Sequence, residues 1–550
     1  MRIQTVSRNL KRHLNSWTIV SLIGAAVILL PIAIVLATMF TEPTENWDHV
    51  KAYLLVDYVK GSLTLAFFTT FFATTIGVVL AWLVVGYSFP LRGFFRWALL
   101  LPLALPPYIA AFTYRTMTSY TGVIQSTLRN QFGITLPPDT IEVHSIHGAI
   151  FILTFCLYPY VYLITRSFLE RQSASYIENA NLLGKKNVQL FWKVVLPIAR
   201  PAIIAGMMLV IFEVLSDYGV ASYFGVQTIS TSIFQTWFGM YDVDSALRLA
   251  AWLMVIIIGV FILERFLRRN MRYTSTSTQN KPLHPKQLKG ISSWSVLVLC
   301  SAIFLLAFAF PVIQIIVWAV WRFEGYWTSD FLHLMSNTLQ VSIIATVIVV
   351  IFSIITARVV RTLSSNFAYG LSRLITAGYA VPGAIIAVGI LAAFIFIDES
   401  LSSFYQFLGQ TEGALVLSLS LGMLVTGYVI RFIAPGYNTI DSGYEKISKF
   451  YSEASRTLGK TSTRTFIKIE LPLLKGTLLA AFILTFVEII KELPLTKLLR
   501  PFNFETLATQ AYKYAIDERI IAASLPSILL IIVSLVSVLI FNSIGKRDES

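Results

Sequence analysis

The sequence predicts an all-α, polytopic membrane protein of about twelve transmembrane helices arranged as two parallel repeats. Three observations predict it. Of the 550 residues, 56% are hydrophobic and 13% charged, with a mean hydropathy of +0.71. Soluble domains carry roughly 25% charge, so this chain has too little polar surface to cover itself in water. Apolar windows of about 20 residues, the length that crosses a bilayer, recur from end to end. Finally, the polar stretch 178–201 (ENANLLGKKNVQLFWKVVLPIARP) returns without a gap at 453–476 (EASRTLGKTSTRTFIKIELPLLKG). The offset of 275 residues is half the chain.

In order along the chain, basic Arg2, Arg8, Lys11 and Arg12 precede an apolar run from Trp17 to Met39. That run is longer than the roughly 7–15 residues of a signal peptide's apolar core, and Thr38-Met39-Phe40 is a poor cleavage site, so it is expected to be a retained first span. Further windows lie near 61–86, 97–118, 146–168, 201–222 and 246–266. The second half repeats the series near 294–318, 337–360, 374–397, 413–434, 476–491 and 521–542. The expected division is an N-terminal segment with the first span and outer loop (1–58), a first repeat (59–268, polar loop 173–201) and a linker (269–293). A span with an outer loop (294–336), a second repeat (337–543, polar loop 448–476) and a tail (544–550) follow.

Charge placement gives the orientation. Lys and Arg gather in alternate loops: Arg92 and Arg96, then Arg166 to Arg200, then Arg265 to Lys289, then Arg358, Arg361 and Arg373, then Lys546 and Arg547. The intervening loops lean acidic, with Glu42, Glu45, Asp48 and Asp57 in one and Asp398, Glu399 and Glu412 in another. Positive charge stays on the cytoplasmic side, so both termini and both repeated loops are expected in the cytoplasm. The net charge of +14 is thereby explained without a nucleic-acid partner. Stretch 274–290 is rich in Ser, Thr, Pro and Lys and reads as a flexible linker. An even number of spans per half makes the halves enter the membrane in the same direction, related by a pseudo-twofold axis along its normal.

The repeated loop is polar and punctuated by glycine. Residues 173–183 suit a short amphipathic helix, Gly184 a sharp turn, and a second helix leads to Leu196-Pro197 at the entry to span five. The same reading holds for 451–458, Gly459 and Leu471-Pro472, with Glu178 and Glu453 placed to cap or to pair with basic groups. The plainer reading of one such loop is a charged helix on the membrane surface. Gly459-Lys460-Thr461 imitates the end of a phosphate-binding loop, but Ala454 stands where its first glycine belongs.

This pair of loops resembles the EAA motif of ABC-importer permeases: Glu-Ala-Ala, three residues, Gly, nine residues, Ile-x-Leu-Pro. The first copy matches at Glu178, Ala180, Gly184, Leu196 and Pro197, with Asn179 and Val194 as departures. The second matches at Glu453, Ala454, Gly459, Ile469, Leu471 and Pro472, with Ser455 as its departure. Segments 213–240 and 488–521, above all Lys491–Thr496, Leu499–Phe502 and Thr506–Thr509, are similar to fused ferric-iron ABC permeases. The resemblance implies a type I importer (MetI-like) fold in the bacterial inner membrane. It also implies a homodimeric cytoplasmic ABC ATPase docked on the two loops, with ATP and Mg on that partner and no cofactor on this chain. A periplasmic or lipoprotein ferric-binding protein is the implied outer partner. Related permeases carry thiamine or polyamines, so iron as cargo rests on resemblance.

Ionisable groups at membrane depth are costly, which makes them functional candidates. Glu213 and Glu488 are 275 residues apart, and Asp217 and Glu492 repeat the relation. Glu213 lies 13 residues beyond Arg200, roughly 20 Å along a helix. One reading makes the four carboxylates a path or gate for a cation, with transient ferric contact at Glu213 and Glu488 and no stable metal site. The other has them bonding neighbouring helices, with Lys491 as counter-ion. Tyr158 and Tyr160, with Tyr428 and Arg431 in the second half, either line the path or pack. His144 and His147, near Asp139 and Glu142, are expected as interfacial polar residues rather than metal ligands, and Cys156 and Cys300 as packing residues. An ion-coupled secondary transporter would leave the repeated cytoplasmic loop unexplained, and a membrane enzyme would lack a catalytic constellation.

Overall fold

The computed structural model describes residues 16–137, 143–171, 180, 187–268, 285–321, 325, 327–363, 365–409, 415–418 and 420–547. Among the described residues every regular element is helical, apart from a two-residue pairing of Tyr87–Ser88 with Lys286–Gln287. That pairing anchors the end of the stretch expected to be a flexible linker; residues 269–284 lie outside the described residues.

The first half contains α1 (Ser16–Ala37), α2 (Leu55–Gly86), α3 (Pro107–Thr118), α4 (Ile146–Arg171) and α5 (Leu196–Ser216). It continues with the short α6 (Gly219–Tyr223), then α7 (Ile229–Gly239) and α8 (Val243–Arg268). The second half repeats the order in α9 (Ile291–Trp321), α10 (Ser329–Leu363), α11 (Gly383–Ser400) and α12 (Leu421–Lys446). There follow a loop helix α13 (Lys449–Thr457), then α14 (Lys475–Ile490), the short α15 (Pro494–Leu499), α16 (Leu507–Ile516) and α17 (Ile520–Arg547).

Packing repeats as well. In one half α2, α4 and α5 pack on one another; in the other α10, α12 and α14 do the same. Small residues allow the close approach that such helix contacts need. A Cβ on Gly77 would lie 2.9 Å from the Tyr158 carbonyl oxygen, and one on Gly206 would lie 2.8 Å from Val161 Cα. The same clasp closes each half. Ser62 Oγ accepts from Ile229 N–H and Thr338 Oγ1 from Leu507 N–H, both at 2.9 Å, beside capping boxes at Thr228/Thr231 and Thr506/Thr509. The first helices cross over: α1 packs on α10 and α11 of the other half, and α9 meets the first half through Phe304 on Phe94.

Among the described residues, nine helices are long and apolar enough to span a membrane, or eleven if two bent pairs each count as one, against the expected twelve. The differences have local causes. Window 97–118 is broken by Pro102, Pro106 and Pro107 into segments bent by 92°. Window 201–222 stops at Ser216, where the backbone turns extended at Asp217. Window 374–397 opens on the end of a separate helix (Asn366–Thr376) and a tight turn, its long helix starting only at Gly383 after Pro382, and window 476–491 is bent by 72° against the helix before it. Window 413–434 is occupied by α12, which carries Arg431, Asp441, Glu445 and Lys446 and so falls short of the apolarity of a free-standing span.

Candidate translocation cavity and coupling loops

A cavity of about 130 Å³ lies where the two halves meet. Its walls come from matching places in the repeats: Glu213 and Glu488 near the ends of α5 and α14, and Asp217 and Glu492 just beyond them. Further matched pairs also line it, among them Ser216 with Lys491 and Cys156 with Arg431. All four carboxylates picked out from the sequence are therefore brought together, with two basic groups contributed by the second half alone.

The outer pair of carboxylates has a structural duty. Asp217 Oδ2 accepts from the N–H groups of Val220 (3.1 Å) and Ala221 (3.0 Å), which caps α6. Glu492 Oε1 accepts from Leu495 N–H (3.3 Å) and caps α15. A carboxylate here ends the long helix and starts the short one, because the first N–H groups of a helix have no internal partner. Glu213 and Glu488 are less constrained. Glu488 pairs with Lys491 Nζ at 2.7 Å, three residues along. Arg431, 8% exposed, donates through Nη1 to the Val381 carbonyl, while its Nε lies buried without an acceptor among the described residues. Tyr428 donates to Thr496 Oγ1 (2.6 Å), which donates to the Glu492 carbonyl oxygen (2.8 Å), fixing the wall behind the cavity.

Tyr160 lines the cavity, whereas Tyr158 is fully buried and lies outside that lining. Cys156, expected to be a packing residue, is buried but faces the cavity; Cys300 is buried elsewhere. His144 sits beside Phe224 and Gly225 in an outer cleft with Asp57 and Lys60, and His147 lies in an apolar groove with Phe68 and Phe151. Asp139 and Glu142 lie outside the described residues.

Of the first repeated loop, Glu178 and Gly184 lie outside the described residues; Ala180 is buried, and Leu196 and Pro197 are half-buried at the start of α5. The second loop is described throughout. α13 is capped by Ser448, and Gly459 follows in the left-handed region (φ +75°), where a β-carbon is unfavourable. Thr461 then caps the next short helix, which leads to Leu471-Pro472. Glu453 and Ala454 are exposed, and Phe450, Ala454, Leu458 and Ile469 line an apolar groove rimmed by Lys460, Arg464 and Lys468.

Sequence reasoning missed what fastens this loop to the membrane body. Glu470, in the variable place before Leu471, is buried and accepts from Ser452 Oγ (2.8 Å) and Tyr444 Oη (3.2 Å). Arg358 on α10 lies 4.0 Å from Glu470 and donates to Ser462 through its carbonyl (2.7 Å) and Oγ (2.8 Å). Its guanidinium sits 4.5 Å from the rings of both Trp17 and Phe466. The only available signal was an Arg and a Glu in otherwise apolar surroundings.

Comparison with known proteins agrees with this duplicated architecture. The family model described as "Binding-protein-dependent transport system inner membrane component" matches twice, at residues 73–273 and 349–547. The chain belongs to this family. It is 25% identical to the Fe(3+)-transport system permease protein FbpB 2 of Haemophilus influenzae, over 94% of this chain and 95% of that one. It is 21% identical to the ferric transport system permease protein FbpB of Actinobacillus pleuropneumoniae, over 86% of this chain and 69% of that one. The sulfate transport system permease protein CysT of Salmonella typhimurium is 31% identical over 35% of this chain and 68% of its own. The protein is thus a fused, two-repeat, multi-pass permease of the binding-protein-dependent type.

Proposed function

We propose that this permease moves ferric iron, handed over by an extracytoplasmic binding protein, across the bacterial inner membrane by alternating access. A separate cytoplasmic ABC ATPase homodimer, with its own ATP and Mg, docks on the repeated loops and supplies the energy; both termini face the cytoplasm. The observation that carries the cargo assignment is the similarity over 94% of the chain to an Fe(3+)-transport permease, and the cavity between the halves, where four carboxylates outnumber two basic groups, suits a cation. Hard, highly charged cations prefer oxygen ligands. A sulfate-like oxyanion would meet net repulsion there, which favours the cation over the cargo in the name of the half-length relative. Glu213 and Glu488 are the groups placed for transient contact, since Asp217 and Glu492 are engaged as caps. Gly459, with the apolar groove of α13, supports the coupling role of the second loop, and the matched Gly184 extends it to the first.

The test is ATP hydrolysis by the purified complex in lipid, with binding protein loaded with ferric ion, thiamine, a polyamine or sulfate. Stimulation by the ferric-loaded protein alone supports the assignment. Stimulation by another cargo removes iron and leaves the permease reading intact. Absence of any ATPase from the purified complex would overturn the coupling scheme.

A further inference from the structure

α5 begins after the polar loop, and its 21 residues rise about 30 Å before ending at Ser216. The groups just beyond that end lie on the side of the cavity remote from the repeated loops. There, Lys497 of the second half reaches across to the first. Its Nζ donates to Tyr218 Oη at 2.6 Å and lies 4.8 Å from the Tyr218 ring centre and 5.2 Å from that of Tyr512. Tyr218 is held rigidly, stacked on Phe234 at 3.8 Å, and Tyr512 meets Tyr108 edge-on at 6.0 Å. Tyr108 and Tyr218 themselves line the cavity. An ammonium enclosed by aromatic faces and a hydroxyl is held by both cation–π attraction and a charge-assisted hydrogen bond.

The repeat does not require this arrangement. At the matched positions Ser222 stands for Lys497 and Leu493 for Tyr218, so the contact exists once per molecule. It joins α15 and α16 of one half to the residue between α5 and α6 of the other. Separating the halves at this end must break it.

We infer that Lys497, seated between Tyr218 and Tyr512, is the latch that holds the cargo path shut at the end remote from the coupling loops. The inference rests on the alternating-access reading proposed above but not on the identity of the cargo. A contact made in only one of two conformations biases their equilibrium by its differential free energy, and such couplings commonly amount to about 5–150-fold.

Cys156, buried and lining the cavity, is a built-in reporter. In a Cys300→Ala background it is the sole thiol. The experiment measures labelling of the full-length chain in sealed membrane vesicles by a membrane-impermeant maleimide, added to either face, without cargo or ATP. Lys497→Met keeps the apolar stem and removes the charge; Tyr218→Phe keeps the ring and removes the acceptor. From the face remote from the repeated loops, we expect Cys156 to be labelled about 10-fold faster in Lys497→Met and about 3-fold faster in Tyr218→Phe, within the range such couplings span. Labelling from the opposite face should not rise. If Lys497→Met does not accumulate in the membrane, Tyr218→Phe decides alone. Unchanged rates, with Cys156 fully reactive after denaturation, would overturn the latch, as would equal acceleration from both faces. Because the assay uses neither nucleotide nor binding protein, its failure is distinguishable from failure of the ATP-driven scheme.

Discussion

Replacing Glu488 by Gln removes one member of an ion pair and strands the other. Glu488 and Lys491 are 2.7 Å apart, with side chains 31% and 19% exposed. Fully exposed pairs are worth about 0–1 kcal/mol, whereas deleting one partner of a buried pair costs about 3–5 kcal/mol. Intermediate exposure places this pair at about 1–2 kcal/mol, or roughly 5–30-fold in an equilibrium or rate. The charge of the cavity shifts in the same direction. Its formal charge of −2, from four carboxylates and two basic groups, becomes −1 on the substitution. Glu488→Gln should therefore lower cargo-stimulated ATP hydrolysis and cargo uptake about 5–30-fold. The double variant Glu488→Gln/Lys491→Met restores −2 and strands nothing, and should recover part of that loss, the Glu488 contact to cargo remaining absent. Both are measured in the complex reconstituted in lipid. A double variant no better than Glu488→Gln alone, or a silent Glu488→Gln, would refute the view that Lys491 is the resident counter-ion of this carboxylate.

Three further outcomes concern the second loop and its anchor. Gly459→Val forces a β-branched residue to φ +75°, which costs about 1–2 kcal/mol in backbone strain, and should reduce recovery of the ATPase with the permease. Gly476→Ala, a helical position with open space around the added carbon, should be neutral in the same co-purification. Arg358→Met removes the cation from Glu470 and the two hydrogen bonds to Ser462; we expect a loss of about 3–5 kcal/mol, read as a lower midpoint of thermal unfolding in detergent.

Much of this molecule is legible in its sequence because duplication prints the same physical problem twice. An offset of 275 paired Glu213 with Glu488 and Asp217 with Glu492, and the structure brings all four to one cavity. The spans were legible where a helix is apolar along its whole length. They blurred at Pro106-Pro107, Asp217 and Pro382, where hydropathy continues but the backbone cannot. α12 shows the converse: a helix wrapped by neighbours tolerates Arg431 because Val381 supplies an acceptor, and hydropathy alone cannot report an acceptor from another segment. The anchoring of the second loop was hidden for the same reason. Trp17, Arg358 and Glu470 are hundreds of residues apart or separated by several helices, and only α1 crossing to the other half brings the indole onto the guanidinium. The capping duty of Asp217 and Glu492 was equally invisible, since it depends on short helices inside windows read as continuous spans.

A single chain permits what two identical subunits would forbid. In a symmetric pair, every charge on one wall of the cavity must appear on the other, so Lys491 and Arg431 would each occur twice or not at all. The formal charge would then be 0 with both present on both walls, −2 with one of them on both walls and −4 with neither, and in each case the two walls would carry the same charge. Here Ser216 stands at the position matching Lys491 and Cys156 at that matching Arg431, so the charge of −2 is divided unevenly between the walls. One wall carries Glu213 and Asp217 without a basic group at the two matched positions; the other is largely self-neutralised. A cation crossing such a cavity meets Glu213 uncompensated on the first wall and Glu488 in competition with Lys491 on the second, so it is not trapped between two equally strong sites, which suits a path that must bind and then release. Ser216→Lys imposes the missing symmetry at one pair and takes the cavity to −1. It should depress cargo-stimulated ATP hydrolysis at least as much as Glu488→Gln, about 5–30-fold, while Ser216→Ala stays near wild type. If Ser216→Lys folds, keeps its ATPase and transports normally, the asymmetry of charge is incidental to transport.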